Sequence, residues 1–447
     1  MGSDVKHGLD ADATAIVAEV RAGRMSARAV VDGALERIDA DDTNAVVTVC
    51  GAEARATAEQ IDALVARGGD PGVLAGVPFT VKDTVATAGM RATAGSLVLA
   101  DNIATDDAEM MARLRAAGGV LVGKTNCPEF ALQPRTVNRV FGGTTHPFDV
   151  ACSPGGSSGG CAAAVAGGLV PFSIGGDYGG SVRYPASCTG IYGLRPSYGA
   201  VPTRGHVPEP APGSPRARFQ TFGPLARTAR DIQLVFDVIA GRAAGGLGAG
   251  APRRVGVVRG GWSCTISVEG AVKTAERMLA DGGYDVVDVD PAPFVAAADV
   301  FSSWRASDDY ADLRALVAGR ETDLTAHIAR LIATPPVATD LRARLATIVR
   351  AVDAQLESTP ILVLPVARVG VVALDAMSVE IDGRTESIDA LEILAPARAV
   401  SVLDLPGLAI PAGFDPGGLP AGVQLVGRAG AEAELVAVAT ALASPPG

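Results

Sequence analysis

Residues 154–160 read Pro154-Gly155-Gly156-Ser157-Ser158-Gly159-Gly160 and run straight into the helix-forming Cys161-Ala162-Ala163-Ala164-Val165-Ala166. A second run, Gly175-Gly176-Asp177-Tyr178-Gly179-Gly180-Ser181-Val182-Arg183, follows after a short apolar stretch. Glycine–serine runs in polar, low-complexity surroundings are linkers. Here Ala162–Val165 follows one run and Leu169-Val170-Pro171-Phe172 precedes the other. Glycine bracketed by core-forming segments signals close backbone approach or positive φ, not slack.

Three chemistries could use such loops. A phosphate cradle needs Gly-Lys-Ser/Thr opening a helix, and no lysine follows either run. Gly156-Ser157-Ser158-Gly159-Gly160 formally satisfies G-x-S-x-G with Ser158 as nucleophile. That motif wants a strand before it, and Ala151-Cys152-Ser153-Pro154 is a poor one; its base would be His206 or His327, neither in a persuasive neighbourhood. What remains is a serine activated without histidine. A serine hydroxyl is a weak nucleophile until a base takes its proton. Lysine can be that base when burial lowers its pKa towards the working pH. Gly76-Val77-Pro78-Phe79-Thr80-Val81 is an apolar run suited to a strand, and it delivers Lys82-Asp83 at its end. Taken alone, Lys82 reads equally well as a surface ion pair with Asp83.

Outward from these loops the chain alternates strand and helix. Ile16, Val17 and Val20 mark one helical face, and Ser26 can cap a helix carrying Val30, Val31, Leu35 and Ile38. Residues 106–117 look helical and lead through Gly118-Gly119 into the strand Val120-Leu121-Val122. The strand at Val255–Val258, the helix near 268–282 and the strand Tyr284–Asp288 repeat the step. An amphipathic helix near 340–357 precedes the strand Ile361–Leu364, and Leu408–Pro411 with Val423–Val426 reads as a hairpin-like pair before a closing helix. Residues 203–219, rich in Pro, Gly and Arg, read as an irregular surface segment. There is no internal repeat and no clear linker. The expected fold is α/β, a single large domain over 1–447 with a central mixed, mostly parallel twisted sheet covered by helices on both faces. Its core would lie at about 74–200, and residues from about 250 to 447 would complete the sheet and the pocket.

Composition narrows the class. Hydrophobic residues make up 48% and charged residues 19% of 447, which excludes disorder for most of the chain. Aromatics are only 4%, so the core is aliphatic. A net charge of −11 disfavours nucleic acid and anionic membrane as partners; Arg253-Arg254 and Arg342…Arg344 read as solvated faces. No stretch reaches the roughly 18 apolar residues of a spanning helix, and the start lacks a secretion signal's apolar core, so a soluble, cytoplasmic protein is expected. The six cysteines form no CxxC pair and read as buried free thiols. The four histidines (His7, His146, His206, His327) lack metal-site spacing, and His146 and His206 are read as loop or surface residues. No metal or organic cofactor is expected.

Together these motifs resemble the amidase signature family. Gly76–Asp83 looks like that family's lysine motif, and PGGSSGG and GGSVRYPA (179–186) are similar to its two serine segments, in order and spacing. Gly190-Ile191-Tyr192-Gly193-Leu194-Arg195-Pro196-Ser197-Tyr198-Gly199 and Gly418-Leu419-Pro420-Ala421-Gly422-Val423-Gln424-Leu425-Val426-Gly427 extend the likeness, which runs from about residue 10 to the end. The resemblance implies an amidase that hydrolyses a carboxamide to carboxylate plus ammonia or amine. Ser181 matches the nucleophile, Ser157 a bridging serine held by a cis peptide bond, and Lys82 the base. The backbone N–H groups of Tyr178, Gly179, Gly180 and Ser181 match the oxyanion hole. Asp177 and Arg183 are expected to pair and stiffen the loop, and Ser158 to hydrogen-bond rather than react. This sequence departs from the pattern at Gly176, where the family usually has Ser or Thr; at Tyr178, usually smaller, whose ring would line the pocket; and at Thr189, often cysteine. The alternatives are an acyltransferase or biosynthetic enzyme with the same triad, the amidase subunit of a tRNA-dependent amidotransferase (which the proline-rich 207–215 segment does not resemble), and a non-catalytic scaffold. The expected partner is a small-molecule amide, with a homodimer compatible. Residues 203–219 and 300–310, with Trp304, are candidates to line the pocket.

Overall fold

In this computed structural model, which describes residues 11–243, 252–390 and 392–443, the branched aliphatic runs pair into one eleven-stranded sheet. The N-terminal part supplies β1 (Val46–Val49), β2 (Pro78–Lys82), β3 (Val120–Thr125), β4 (Phe172–Asp177), β5 (Tyr192–Arg195) and β6 (Thr221–Ala226). The C-terminal part adds β7 (Arg254–Val258), β8 (Asp285–Val289), β9 (Ile361–Pro365), β10 (Gly407–Phe414) and β11 (Pro420–Gly427). Across the sheet the order is β1-β3-β2-β4-β6-β5-β10-β11-β9-β7-β8. No break separates the halves, because β5 pairs with β10.

The sheet is mixed, as expected, but parallel pairing is not the majority. Parallel neighbours are β3-β2-β4 towards one side and β9-β7-β8 at the other. Every pairing from β4 through β6, β5, β10 and β11 to β9 is antiparallel. Short returns favour antiparallel neighbours, and parallel ones need a crossover. β10 and β11 are such a short return, whereas the helix Ile266–Asp281 makes the crossover between β7 and β8.

Helices cover the sheet. Asp12 caps Ala13–Arg21 by accepting from Ala15 N, and Ser26 caps Ala27–Asp39 by accepting from Ala29 N, the latter as its position predicts. Three short helices are buried along nearly their whole length: Gly159–Ala166, Arg183–Thr189 and Ala395–Val402. They bring the two serine segments and the C-terminal part together under the aliphatic core. With few aromatics available, Phe79 of β2 and Phe172 of β4 stack across adjacent strands at 5.2 Å between ring centres. Among the described residues no helix is long and apolar enough to cross a membrane.

Candidate active site

β2 runs parallel to β4, so Lys82 and Asp177 leave the sheet at the same end, where layered α/β folds place their sites. Lys82 is buried, and its Nζ donates to Ser157 Oγ at 2.7 Å. Burial pulls the Lys82 pKa below the usual lysine range, because an ammonium there loses its water. The peptide bond Gly156–Ser157 is cis. Thr136 holds this loop from outside: its Oγ1 donates to Gly155 O at 2.9 Å and accepts from Gly159 N at 3.1 Å. The surface ion pair of Lys82 with Asp83 does not form. Asp83 is buried on a different set of partners, Thr93 N at 3.0 Å and Lys124 Nζ at 3.9 Å. Lys124 is a second buried lysine, which sequence reasoning passed over; it donates to Val85 O at 2.5 Å.

The loop after β4 carries Ser181. Asp177 anchors it by accepting from Gly180 N at 2.8 Å, Val182 N at 3.1 Å, and Arg183 Nε and Nη2 at 3.0 Å each. Burial alone would raise the Asp177 pKa, but the guanidiniums of Arg183 and Arg195 and the Gly180 N–H outweigh it and hold the carboxyl well below its usual range. Arg183 continues to Gln424 and Ser401, fastening the loop to β11 and the helix Ala395–Val402. The Gly180 N–H thus faces Asp177 in this structure. Among the described residues no acceptor takes the N–H of Gly179 or Ser181. A Cβ at Gly179 would be tight, 3.0 Å from Phe301 Cζ and 3.2 Å from Arg398 Cγ, so those side chains would have to give way to it. Ser158 ties the two serine loops together: its N–H donates to Ser181 O at 3.1 Å and its Oγ to Gly176 O at 3.3 Å.

Lys82, Ser157 and Ser181 all border one recess. An adjoining recess shares Tyr178 and Ser181 with it. Tyr178 lies between the two, its ring packed on Phe219 and Phe301 at 5.9 and 5.2 Å. The 203–219 segment is not merely irregular surface. Pro215–Phe219 is helical, Phe219 is buried, and His206, Pro208 and Arg216 form a wall of the recess. His206 thus borders the recess from a loop and is buried rather than on the surface, and His146 is buried elsewhere. Burial lowers the His206 pKa to about 4, so its ring is neutral near pH 7. Its Nδ1 lies 3.1 Å from Pro208 O, which makes Nδ1 the donor and leaves Nε2 as an acceptor. Gly176, short of the hydroxyl usual at that position, leaves room for another group. A Cβ there would meet Gln220 Nε2 at 2.7 Å, so the Gln220 amide fills the space. From 300–310 it is Arg305 that borders the adjoining recess, while Trp304 packs edge-on against Phe219 at 5.4 Å.

Phe130 and Ala131 also line the site, both with positive φ (51° and 58°). Non-glycine residues in that region carry strain and are concentrated at functional sites; nothing in their identity announces it. A larger hollow of about 700 Å³ lies elsewhere, around Trp262, Cys264 and Lys273. Burial pushes the Cys264 thiol up to about 12, so it is no nucleophile at neutral pH. The cysteines are free thiols, with Cys127, Cys161 and Cys188 buried and Cys50, Cys152 and Cys264 partly exposed. Among the described residues no cluster of His, Cys, Asp or Glu is arranged to hold a metal ion.

The family profile described as Amidase matches residues 29–436. A glutamyl-tRNA(Gln) amidotransferase subunit from Deinococcus deserti is 35% identical over 96% of this chain and 95% of its own length. The corresponding protein of Chromohalobacter salexigens is 42% identical over 52% of this chain, and the matched span covers 47% of that relative, about half its length. Among solved structures, 6-aminohexanoate cyclic dimer hydrolase complexed with substrate superposes with a TM-score of 0.82 at 27% identity, covering 97% of this chain and 96% of that one.

Proposed function

Because this chain belongs to the amidase signature family of amide hydrolases, we propose that it cleaves a small carboxamide through an acyl-enzyme on Ser181, with Ser157 and Lys82 moving the proton. The observation that supports this most directly is the 2.7 Å hydrogen bond between a buried Lys82 and Ser157, on the wall of a recess that Ser181 also borders. A desolvated amine gives up its proton at lower pH than an exposed one, so a neutral Lys82 is available to accept. In this mechanism Lys82 takes the Ser157 proton, Ser157 takes the Ser181 proton, and the Ser181 oxygen attacks the amide carbon. The oxyanion is held by backbone N–H groups of the turn Tyr178, Gly179, Gly180 and Ser181. The relay then runs backwards, protonating the leaving nitrogen as the carbon–nitrogen bond breaks. Water deacylates Ser181 by the same path and releases the carboxylate.

Ser181→Ala tests the reading. No acyl adduct should form on incubation with an amide, as read by intact mass, and turnover should fall on the order of 10⁴-fold or more. Near-normal turnover would remove Ser181 from the mechanism. A second reading is favoured by the 35% identity, along almost the whole chain, to a component of an amidotransferase. In it the chain works with partner proteins and passes ammonia on. Purified alone, such a component would turn over free amides poorly, and a partner would co-purify with it from its own cells.

A further inference from the structure

Beyond Tyr178 and Gly179, the recess that Ser181 borders ends at Arg305, Leu394 and Arg398. We propose that Arg305, assisted by Arg398, is an anion-recognition pair, and that the physiological amide carries a carboxylate at the end away from the scissile bond. The inference rests on the amidase reading above and names its substrate class.

The other arginines around the site are matched. Arg183 and Arg195 share Asp177, and Arg216 pairs with Asp308, at 3.2 Å, and with Asp312. Arg305 is different. Among the described residues no carboxylate lies within ion-pair distance of it, and its Nε–H, like Nε and Nη2 of Arg195, is buried without an acceptor. Arg398 is buried too, and its one ion pair is a 3.4 Å contact with Glu392, whose side chain is 54% exposed. The Phe301 ring also packs on it, 5.2 Å from the guanidinium carbon. Burial first, and then the neighbouring charge of Arg305, lower the Arg398 pKa, yet at about 10 it stays charged at neutral pH. Two like charges beside an apolar wall are costly unless an anion sits with them. Guanidinium is also the side chain best shaped for a carboxylate, since it can offer two parallel N–H donors. A chain with net charge −11 has no general affinity for acids, so a cationic end to the catalytic recess is a local feature that calls for a ligand.

The test compares kcat/KM for the monoamides of succinic and glutaric acid with butanamide and pentanamide, their uncharged counterparts. Wild type should favour the acids about tenfold or more, the worth of a charge-assisted hydrogen bond. Arg305→Met should bring that ratio towards one, mainly through KM for the acids, and Arg305→Lys should recover part of it. Equal rates on acids and neutral amides in wild type, or a ratio unaffected by Arg305→Met, would overturn the proposal. Succinate binding to Ser181→Ala protein, read by calorimetry, separates this from the parent reading. If neither amide set is hydrolysed but succinate binds and Arg305→Met abolishes binding, the anion pair stands and the amidase reading falls. If succinate does not bind, the anion pair falls, whether or not neutral amides are turned over.

Discussion

A serine hydroxyl attacks an amide only when a base nearby is unprotonated, so the pH dependence of this chain should report on one amine. Lys82 is lowered by burial, which makes its neutral form the abundant one at a pH where an exposed lysine is still charged. kcat/KM should therefore rise with pH through a single ionisation below the ordinary lysine value and level off above it. Lys82→Ala should cost roughly 10²- to 10⁴-fold in acylation and flatten that limb. A profile identical to wild type would exclude Lys82 as the base. The same shift bears on stability: between the folded and the unfolded pKa the unfolded chain holds the extra proton, so stability rises with pH across that window. At this scale the sequence was informative where a residue type is rare in its setting, as with a lysine ending an apolar strand. It was blind where a group acts through a neighbour distant in the chain. The missing hydroxyl at Gly176 was legible, but its replacement by Gln220 was not, because it depends on β4 and β6 pairing with Gly176 opposite Phe222.

Elements take their positions here from loops that are bonded rather than from helices that are long. The turn after β4 hangs on Asp177, which receives two backbone N–H groups and two nitrogens of Arg183. Arg183→Met would leave Asp177 with only Arg195 for charge and would orphan Gln424 Oε1. Breaking a fully buried pair of this kind costs about 3–5 kcal/mol. The variant should melt well below wild type in calorimetry and lose kcat more than KM, since the turn presents Ser181. An unchanged melting temperature would show that the ion pair is not what fixes the turn. Most strands and helices were readable from hydrophobic period and caps, Ser26 among them. Pairing direction was not, since a buried parallel strand and a buried antiparallel one have the same apolar composition. Nor was the left-handed backbone at Phe130 and Ala131, which no glycine or asparagine marks.

Across the molecule as a whole, the helix Ala13–Arg21 is held by a residue far away in sequence. Asp231, on the helix Ala229–Ala240, accepts from Ala13 N at 2.9 Å, Thr14 N at 3.0 Å and Thr14 Oγ1 at 2.7 Å. Arg230 beside it pairs with Asp12. Asp231→Ala strips these donors of their acceptor and should cost about 1–3 kcal/mol. Limited proteolysis should then cut first near residues 13–26, and equal resistance in mutant and wild type would refute the role of this clamp. A single α/β unit was legible in the unbroken alternation of strands and helices, whereas closure of the N-terminal helix onto residue 231 was not, since it leaves no local pattern. The division of labour around Ser181 has a practical side. The side chains proposed to move the proton sit on a sheet end and two bonded loops, while the far wall is assembled from Arg305, Leu394 and Arg398, contributed by other stretches of the chain. Anyone wishing to retool this catalyst for a different amide can exchange that wall piece by piece and leave the reacting machinery as it is.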